Sequence, residues 1–374
     1  MASVAPFTRI FGVPVRSVIQ LDGIVYQLGS LSLTWDLSHT TVRGVRGRTV
    51  IRTSAIGLLY FQSCSYCTFE DIVFEVTGTQ RQEDYRGVVN MLHGSFRNIA
   101  FHRCIWRAPR AAINGVKIIV EAKTPAHAEG LAEHIYFYDC EIDGVGRMGV
   151  EAQNHSTDTT ERYSDIVWEG GTIRNTGLVN HNGQGISFSG EGTACRVNAL
   201  FDNNLLACIE GVGVRSSSFT GRCQNQKRVC NPLSFTNTTP MWDNRIQDFR
   251  TLDRANGEVQ LWTTTRLELR DNMLDLTGGI HIRDVEGLTS TNETYTTRSP
   301  IGLFIEGKSR NNRWVGLSLD CRGTPKGAYS TVRFYGSGVR DNVIENARLL
   351  RASDGVAEDN LLGARNNRIS RRPS

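Results

Sequence analysis

Five short blocks of this chain repeat one pattern: YCTFEDIVF at 66–74, NIAFHRCIW at 98–106, HIYFYDCEI at 134–142, DIVWEGGTI at 165–173 and RLELRDNML at 266–274. Each alternates apolar and polar residues and then turns on Asp, Cys, Gly or Asn. Alternation of period two marks a strand with one face buried, and its recurrence every few tens of residues marks a solenoid rather than a sandwich. The later stretches GVRDNVIENARLL (338–350) and VAEDNLLGARNNRI (356–369) keep the Asn-rich turns at shorter spacing. Asn tolerates the left-handed backbone conformation and hydrogen-bonds to its own chain, which suits it to a tight corner between strands.

A second set of strands lies between those blocks: GVEAQN (149–154), GISFSG (185–190), GVGVRSS (211–217), GGIHIRD (278–284), IGLFIEG (301–307) and TVRFYG (331–336). Alternate residues are apolar in each, so the residues between them point outward. Helical periodicity is nearly absent, which excludes an α/β barrel. The chain is therefore expected to be all-β, a single-stranded right-handed parallel β-helix with more than roughly 40% strand, against the usual 20–25% or so. Solenoids lengthen by stacking coils, so 1–374 is expected to be one domain, with a lead-in at 1–17 and coils over about 18–369. Breaks in the regularity at 121–133, 153–164 and 222–256 are expected to emerge as loops that wall a groove.

The segment VIQLDGIVYQLGSLSLTWDLSHTTVRGVRGRTVI (18–51) resembles the early coils of the pectin-lyase-like β-helix superfamily, in which an extended strand is followed by a TVRG turn and an RTVI strand. The Asn-rich corners are similar to those of the same superfamily, which includes phage tailspikes that degrade bacterial surface polysaccharides. The resemblance covers roughly 18–369 and is one of fold. The paired Asp motifs and Gly-His-Gly of polygalacturonases are absent, as are a calcium-dependent pectate lyase motif and the Gly-Asp-Gly opening of many tailspike helices. No catalytic residue is carried over. The resemblance implies a polysaccharide partner and a place outside the cell or on a virion surface.

Charge narrows the partners. Lys plus Arg total 42 against 38 Asp plus Glu, scattered without a basic stripe, so no nucleic-acid partner is expected. No apolar run reaches the roughly 18 residues of a membrane span. The opening MASVAPFTRI lacks the apolar core of a signal peptide, which suits a protein made in a cytoplasm and released by lysis. Cys104 and Cys140 hold one place in two repeats and are expected as reduced core thiols. Cys223 and Cys230 bracket CQNQKRVC, a loop that a disulfide would close in a protein working outside a cell, and are free otherwise. No Cys/His spacing matches a zinc site, and neither metal nor cofactor is expected. The sequons at Asn154, Asn237 and Asn292 are short enough to arise by chance. A solenoid needs covered ends, so homotrimerisation or a capping partner is expected.

Stacked coils place equivalent residues about 4.8 Å apart, so outward side chains form rows matching an extended sugar chain. One expected row reads Glu151, Ser187, Gly213, Gln260, His281, Phe304 and Arg333; the next reads Gln153, Ser189, Arg215, Trp262, Arg283, Glu306 and Tyr335. Both mix carboxylates, cations and aromatics, the chemistry of a carbohydrate surface. Three site candidates follow. Glu151 and Glu121 fall beside insertions, and two carboxyl groups roughly 5 to 9.5 Å apart divide acid and nucleophile or base roles in glycoside cleavage; Glu191 and Glu306 are rivals, with Asp284 next. His281 with Arg215 and Arg283 would serve β-elimination, the cations neutralising a uronate while His removes the adjacent proton. Trp262 is the foremost binding candidate, because an outward Trp is costly to leave in water; Gln153 and Tyr335 lie in its row. The groove centre is expected between the coils of Glu121 and His281, with Glu151 on its floor. Two function classes remain: a polysaccharide-degrading enzyme, hydrolase or lyase, and a non-catalytic receptor-binding or structural β-helix of a virus tail or coat.

Overall fold

The computed structural model describes residues 17–120, 130–155, 162–227, 230–236, 241–325, 330–353 and 355–372. Among them there is no helix. The fold is a right-handed parallel β-helix with 59% strand, as the alternation predicts. No helix is long and apolar enough to cross a membrane. The chain divides into two compact units, Met1–Leu206 and Ala207–Ser374.

In the first unit the coils carry three strands, fused to two where Tyr163–Arg174 pairs with both Leu131–Tyr138 and Glu141–Val145, and strands pair in parallel with their counterparts one coil on. Cys64–Glu70 pairs with Ser95–His102, that with Leu131–Tyr138, and that with Tyr163–Arg174. These are four of the repeated blocks, and their in-register stacking explains their shared spelling. The inward aromatic of each falls on the next: Phe69, Phe101, Phe137 and Trp168 stack with centroids 5.2, 5.3 and 5.3 Å apart. All four are buried. Such ring pairs add about 0.5–1.5 kcal/mol each beyond the area they bury. Cys104 and Cys140 are free, fully buried thiols that donate to the carbonyls of Phe69 and Phe101.

The second unit repeats the architecture with shorter strands. One stack runs through Asn231–Phe235, Val259–Trp262, Ile280–Arg283, Ile301–Glu306, Ser330–Tyr335 and Val356–Leu361. Its corners are doublets. The first residue takes a left-handed conformation, as at Asp243, Asp271, Asn311 and Asp341, with φ of 57, 57, 56 and 58°. At four of them the second is an inward Asn, and Asn244, Asn272, Asn312 and Asn342 are all buried; at others it is apolar, as at Leu267, Leu288 and Leu317. Their amides link coils: Asn312 Nδ2 donates to Asn342 Oδ1, and Asn342 Nδ2 to Asn367 Oδ1, each at 2.9 Å. At Asn292–Glu293 the second residue is a glutamate. Glu293 is fully buried, accepts from Asn272 Nδ2 at 3.1 Å, and takes a short hydrogen bond from Tyr295 Oη.

The stretch 222–256, expected as a loop, carries strands. Ser218–Gln224 runs into it, followed by Asn231–Phe235, Met241–Trp242, Arg245–Gln247 and Arg250–Thr251. These are short and interrupted by Pro and polar residues, so their alternation does not stand out in the sequence. Cys223 and Cys230 are free and buried rather than joined by a disulfide. Cys230 donates to Gln226 Oε1 at 3.1 Å, and burial pushes up the thiol of the neighbouring Cys208.

Candidate functional site

Within the second unit, register decides which outward side chains meet. Gln260, His281, Phe304, Arg333 and Asp359 lie on one line across successive coils. Trp262, Arg283, Glu306 and Tyr335 lie on the next. The two lines knit into a continuous aromatic surface. The His281 ring meets Trp262 edge-on at 5.3 Å and stacks on Phe304 at 5.1 Å, and Phe304 meets Tyr335 edge-on at 5.9 Å. Tyr335 is 37% exposed, while Trp262, His281 and Phe304 are half-buried.

Charges frame these rings and largely neutralise one another. His281 Nε2 lies 3.0 Å from Glu306 Oε1. Arg283 Nε is 3.8 Å from the same oxygen and 3.6 Å from Asp284 Oδ2, with its guanidinium over the Trp262 ring at 5.4 Å. Arg333 pairs with Asp359 at 2.9 Å. Asp284 itself is a left-handed corner, φ 54°, whose Oδ1 accepts from the Lys308 backbone N–H at 2.7 Å.

Arg215 is not in this group. Its strand, Ala207–Arg215, aligns Glu210 with Ser234 and Arg215 with Trp242, and the Arg215 guanidinium sits 3.7 Å from the centroid of the Trp242 ring. The coil through NPLSF at 231–235 accounts for the difference: overlooking it slides the row by one coil, so Gly213 does not stand under Gln260; Ser234 does. The alternation of Leu233 and Phe235 is the available signal, obscured by Pro232 beside it.

In the first unit, Glu151 follows the expected row with Lys117 before it and Ser187 after it. It is not on an open floor. Asn90, Lys117 and Glu151 are each no more than 1% exposed. Lys117 Nζ is 2.6 Å from Glu151 Oε2, Asn114 Nδ2 donates to that oxygen at 2.8 Å, and Arg147 makes a short contact with it. Among the described residues the cover comes from turns. Arg147 pairs with Glu83 at 2.8 Å and lies over Tyr85, and Asn182 donates to Glu83 at 3.0 Å. Burial pulls the Lys117 ammonium down to about 8, while Glu151 pulls in the opposite direction. Gln153 accepts from Lys117 Nζ at 2.5 Å. Glu191 is half-buried, and its backbone carbonyl accepts from Asn154 Nδ2 at 3.1 Å. Glu121 lies outside the described residues. The sign of this buried network in the sequence is a lone Lys in the apolar strand NGVKIIV.

No family model matches the chain, and no curated protein matches its sequence. Among solved structures it is similar to PfbA, a surface adhesin of Streptococcus pneumoniae, with 10% identity and a TM-score of 0.52 over 94% of this chain and 83% of that one. It is also similar to the catalytic unit of a GH87 alpha-1,3-glucanase from Streptomyces thermodiastaticus, with 9% identity and a TM-score of 0.42 over 96% of this chain and 64% of that one. The first likeness speaks for the parallel β-helix and nothing finer; the second is too distant to carry an argument.

Proposed function

We propose that the outward surface of the second unit binds an extended polysaccharide outside the cell or on a virion surface, in the manner of an adhesin or a tailspike. The observation that carries this is the unbroken run of rings Trp262, His281, Phe304 and Tyr335 across four successive coils. Coils repeat at about 4.8 Å, so the run presents one ring per coil to an extended sugar chain. Arg283, Glu306 and Arg333 supply donors and acceptors for hydroxyl and carboxyl groups along its flank. Their mutual pairing favours retention of the glycan over chemistry on it. A second reading, cleavage of the bound chain, is favoured by the His281–Glu306 hydrogen bond, since a carboxylate that fixes an imidazole is what a general base requires. Assembly as a homotrimer, or against a partner covering the helix ends, belongs to the same reading because a solenoid needs covered ends; light scattering checks it.

The test is a panel of bacterial capsular and lipopolysaccharide glycans. Trp262→Ala and Phe304→Ala are each expected to weaken binding by about two- to tenfold, the worth of one aromatic contact. Unchanged binding by both variants, or no binding of any glycan by the wild type, refutes the proposal. New reducing ends lost in Glu306→Gln establish cleavage. Accompanying absorbance of an unsaturated uronate identifies elimination, and its absence hydrolysis.

A further inference from the structure

The first unit carries another outward cluster, unrelated to the Glu151 network. Registers of Ser65 with Arg97, Glu133 and Ser164, and of Cys67 with Ile99, Ile135 and Ile166, leave one residue per coil at the intervening corner: Tyr66, Asn98, His134 and Asp165. All four are left-handed, with φ of 58, 54, 57 and 50°, and His39 one coil earlier has φ 55°. Asn, Asp and His adopt this conformation readily, but a tyrosine adopts it at a cost. Burial does not offset that cost at Tyr66, which is 56% exposed; the side chain of His134 is 47% exposed. His39 and Tyr66 instead stack on each other at 4.7 Å in nearly parallel planes.

The same face continues along the strand Leu131–Tyr138. His134, Tyr136 and Tyr138 follow one another with centroids 6.3 and 5.8 Å apart, and His102 stacks on Tyr138 at 5.0 Å. Asp165 fixes the near end. Its Oδ2 accepts from Tyr136 Oη at 2.6 Å and lies 2.8 Å from His134 Nδ1, and its Oδ1 accepts from Arg196 at 3.0 Å. Burial pushes the Asp165 carboxyl up, but these three hydrogen bonds outweigh it and hold the group below its usual range. With Nδ1 committed to Asp165, His134 turns its other ring nitrogen away from the carboxylate. The cluster is thus a flat, rigid aromatic strip whose one carboxylate is already matched by a guanidinium.

We propose that His134, Tyr136, Tyr138 and His102, extended along the corner by Tyr66 and His39, form a second saccharide-binding surface specific for a neutral pyranose chain. The rings take the apolar faces of the sugars, and His134 and Asn98 meet their hydroxyls. Charge compensation within the strip selects against polyuronates.

The full-length protein is run in native gels cast with dextran, mannan or xylan as neutral polymers, and with alginate as an anionic one. At least one neutral polymer is expected to retard the wild type, with a dissociation constant about two- to tenfold higher in Tyr138→Ala and unchanged in Leu252→Ala, an exposed apolar residue that belongs to neither surface. Tyr138→Phe keeps the ring and is expected to keep binding, which guards against a misfolded Tyr138→Ala. Tyr66→Asn is the discriminating variant: it relieves the left-handed strain, so its thermal midpoint rises while retardation weakens. The proposal is overturned if no neutral polymer retards the wild type, if alginate alone does, if Tyr138→Ala is retarded like the wild type, or if Tyr66→Asn lowers the midpoint. Retardation lost in Trp262→Ala but kept in Tyr138→Ala overturns this proposal while supporting the reading of the second unit.

Discussion

Replacing Glu293 by Gln is expected to make the protein more stable at neutral pH. Glu293 occupies a corner position where the preceding coil places the buried Asn272 and the following coil the buried Leu317, so a titratable group stands in a stack of uncharged side chains. Burial raises its carboxyl from 4.5 to about 7, although Tyr295 and Asn272 donate to it. The sign follows from proton counting. Between those two values the folded state holds a proton that the unfolded state has released, so stability falls as pH rises through the window. The side chain contributes no loss below pH 4.5 and its full loss above about 7. At about 1.4 kcal/mol per pH unit, the loss is about 3 kcal/mol. Gln keeps an oxygen for Asn272 and turns an N–H toward Tyr295 Oη, which then accepts instead of donating. Urea unfolding of both proteins from pH 4 to 8.5 or so isolates the effect, because every other titrating group cancels in the difference. The variant is expected to match the wild type near pH 4 and to exceed it by about 1–3 kcal/mol at pH 8. A difference independent of pH, or a variant weaker at pH 8, refutes the reasoning.

Two further outcomes are expected. Glu151→Gln leaves the buried Lys117 and Arg147 without their shared carboxylate, and should cost about 3–5 kcal/mol in urea unfolding; a change under about 1 kcal/mol would show that solvent reaches the network. Phe101→Ala removes a ring held between Phe69 and Phe137 and should cost about 3–5 kcal/mol, whereas a loss under about 2 would mean that the stack closes over the gap.

The coils were legible because a parallel solenoid writes the same constraint into every turn. Phe69, Phe101, Phe137 and Trp168 must occupy one position, and the blocks YCTF, NIAF, HIYF and DIVW carry them at the same offset. The doublets Asp243–Asn244, Asp271–Asn272 and Asp341–Asn342 are equally plain, since a left-handed residue followed by an inward amide admits few residue types. The coil through Asn231–Phe235 was hidden because Pro232 and short strands leave less than one period of alternation on either side.

Outward faces are harder to read for a physical reason. Alternation tells which side of the sheet a residue leaves from, but whether that side meets water depends on turns far away in sequence. Glu151 and His281 both leave outward in their own units. Over Glu151 lie Arg147, Glu83 and Asn182, from turns that share no periodicity with the strand, and the carboxylate becomes part of a buried ion network. Around His281 the neighbours are other outward residues of the same stack, which register alone predicts, and the aromatic row is accordingly the part of the site that sequence reached. His134 and Asp165 escaped because each sits at a corner where the register skips, so neither counts as inward or outward in a period of two. Positive φ at an exposed ring is the feature that exposes them, and it exists only once the backbone is known. In a β-helix, then, the strands can be read for the core from sequence, whereas the corners and what faces them can be read only once the backbone is known.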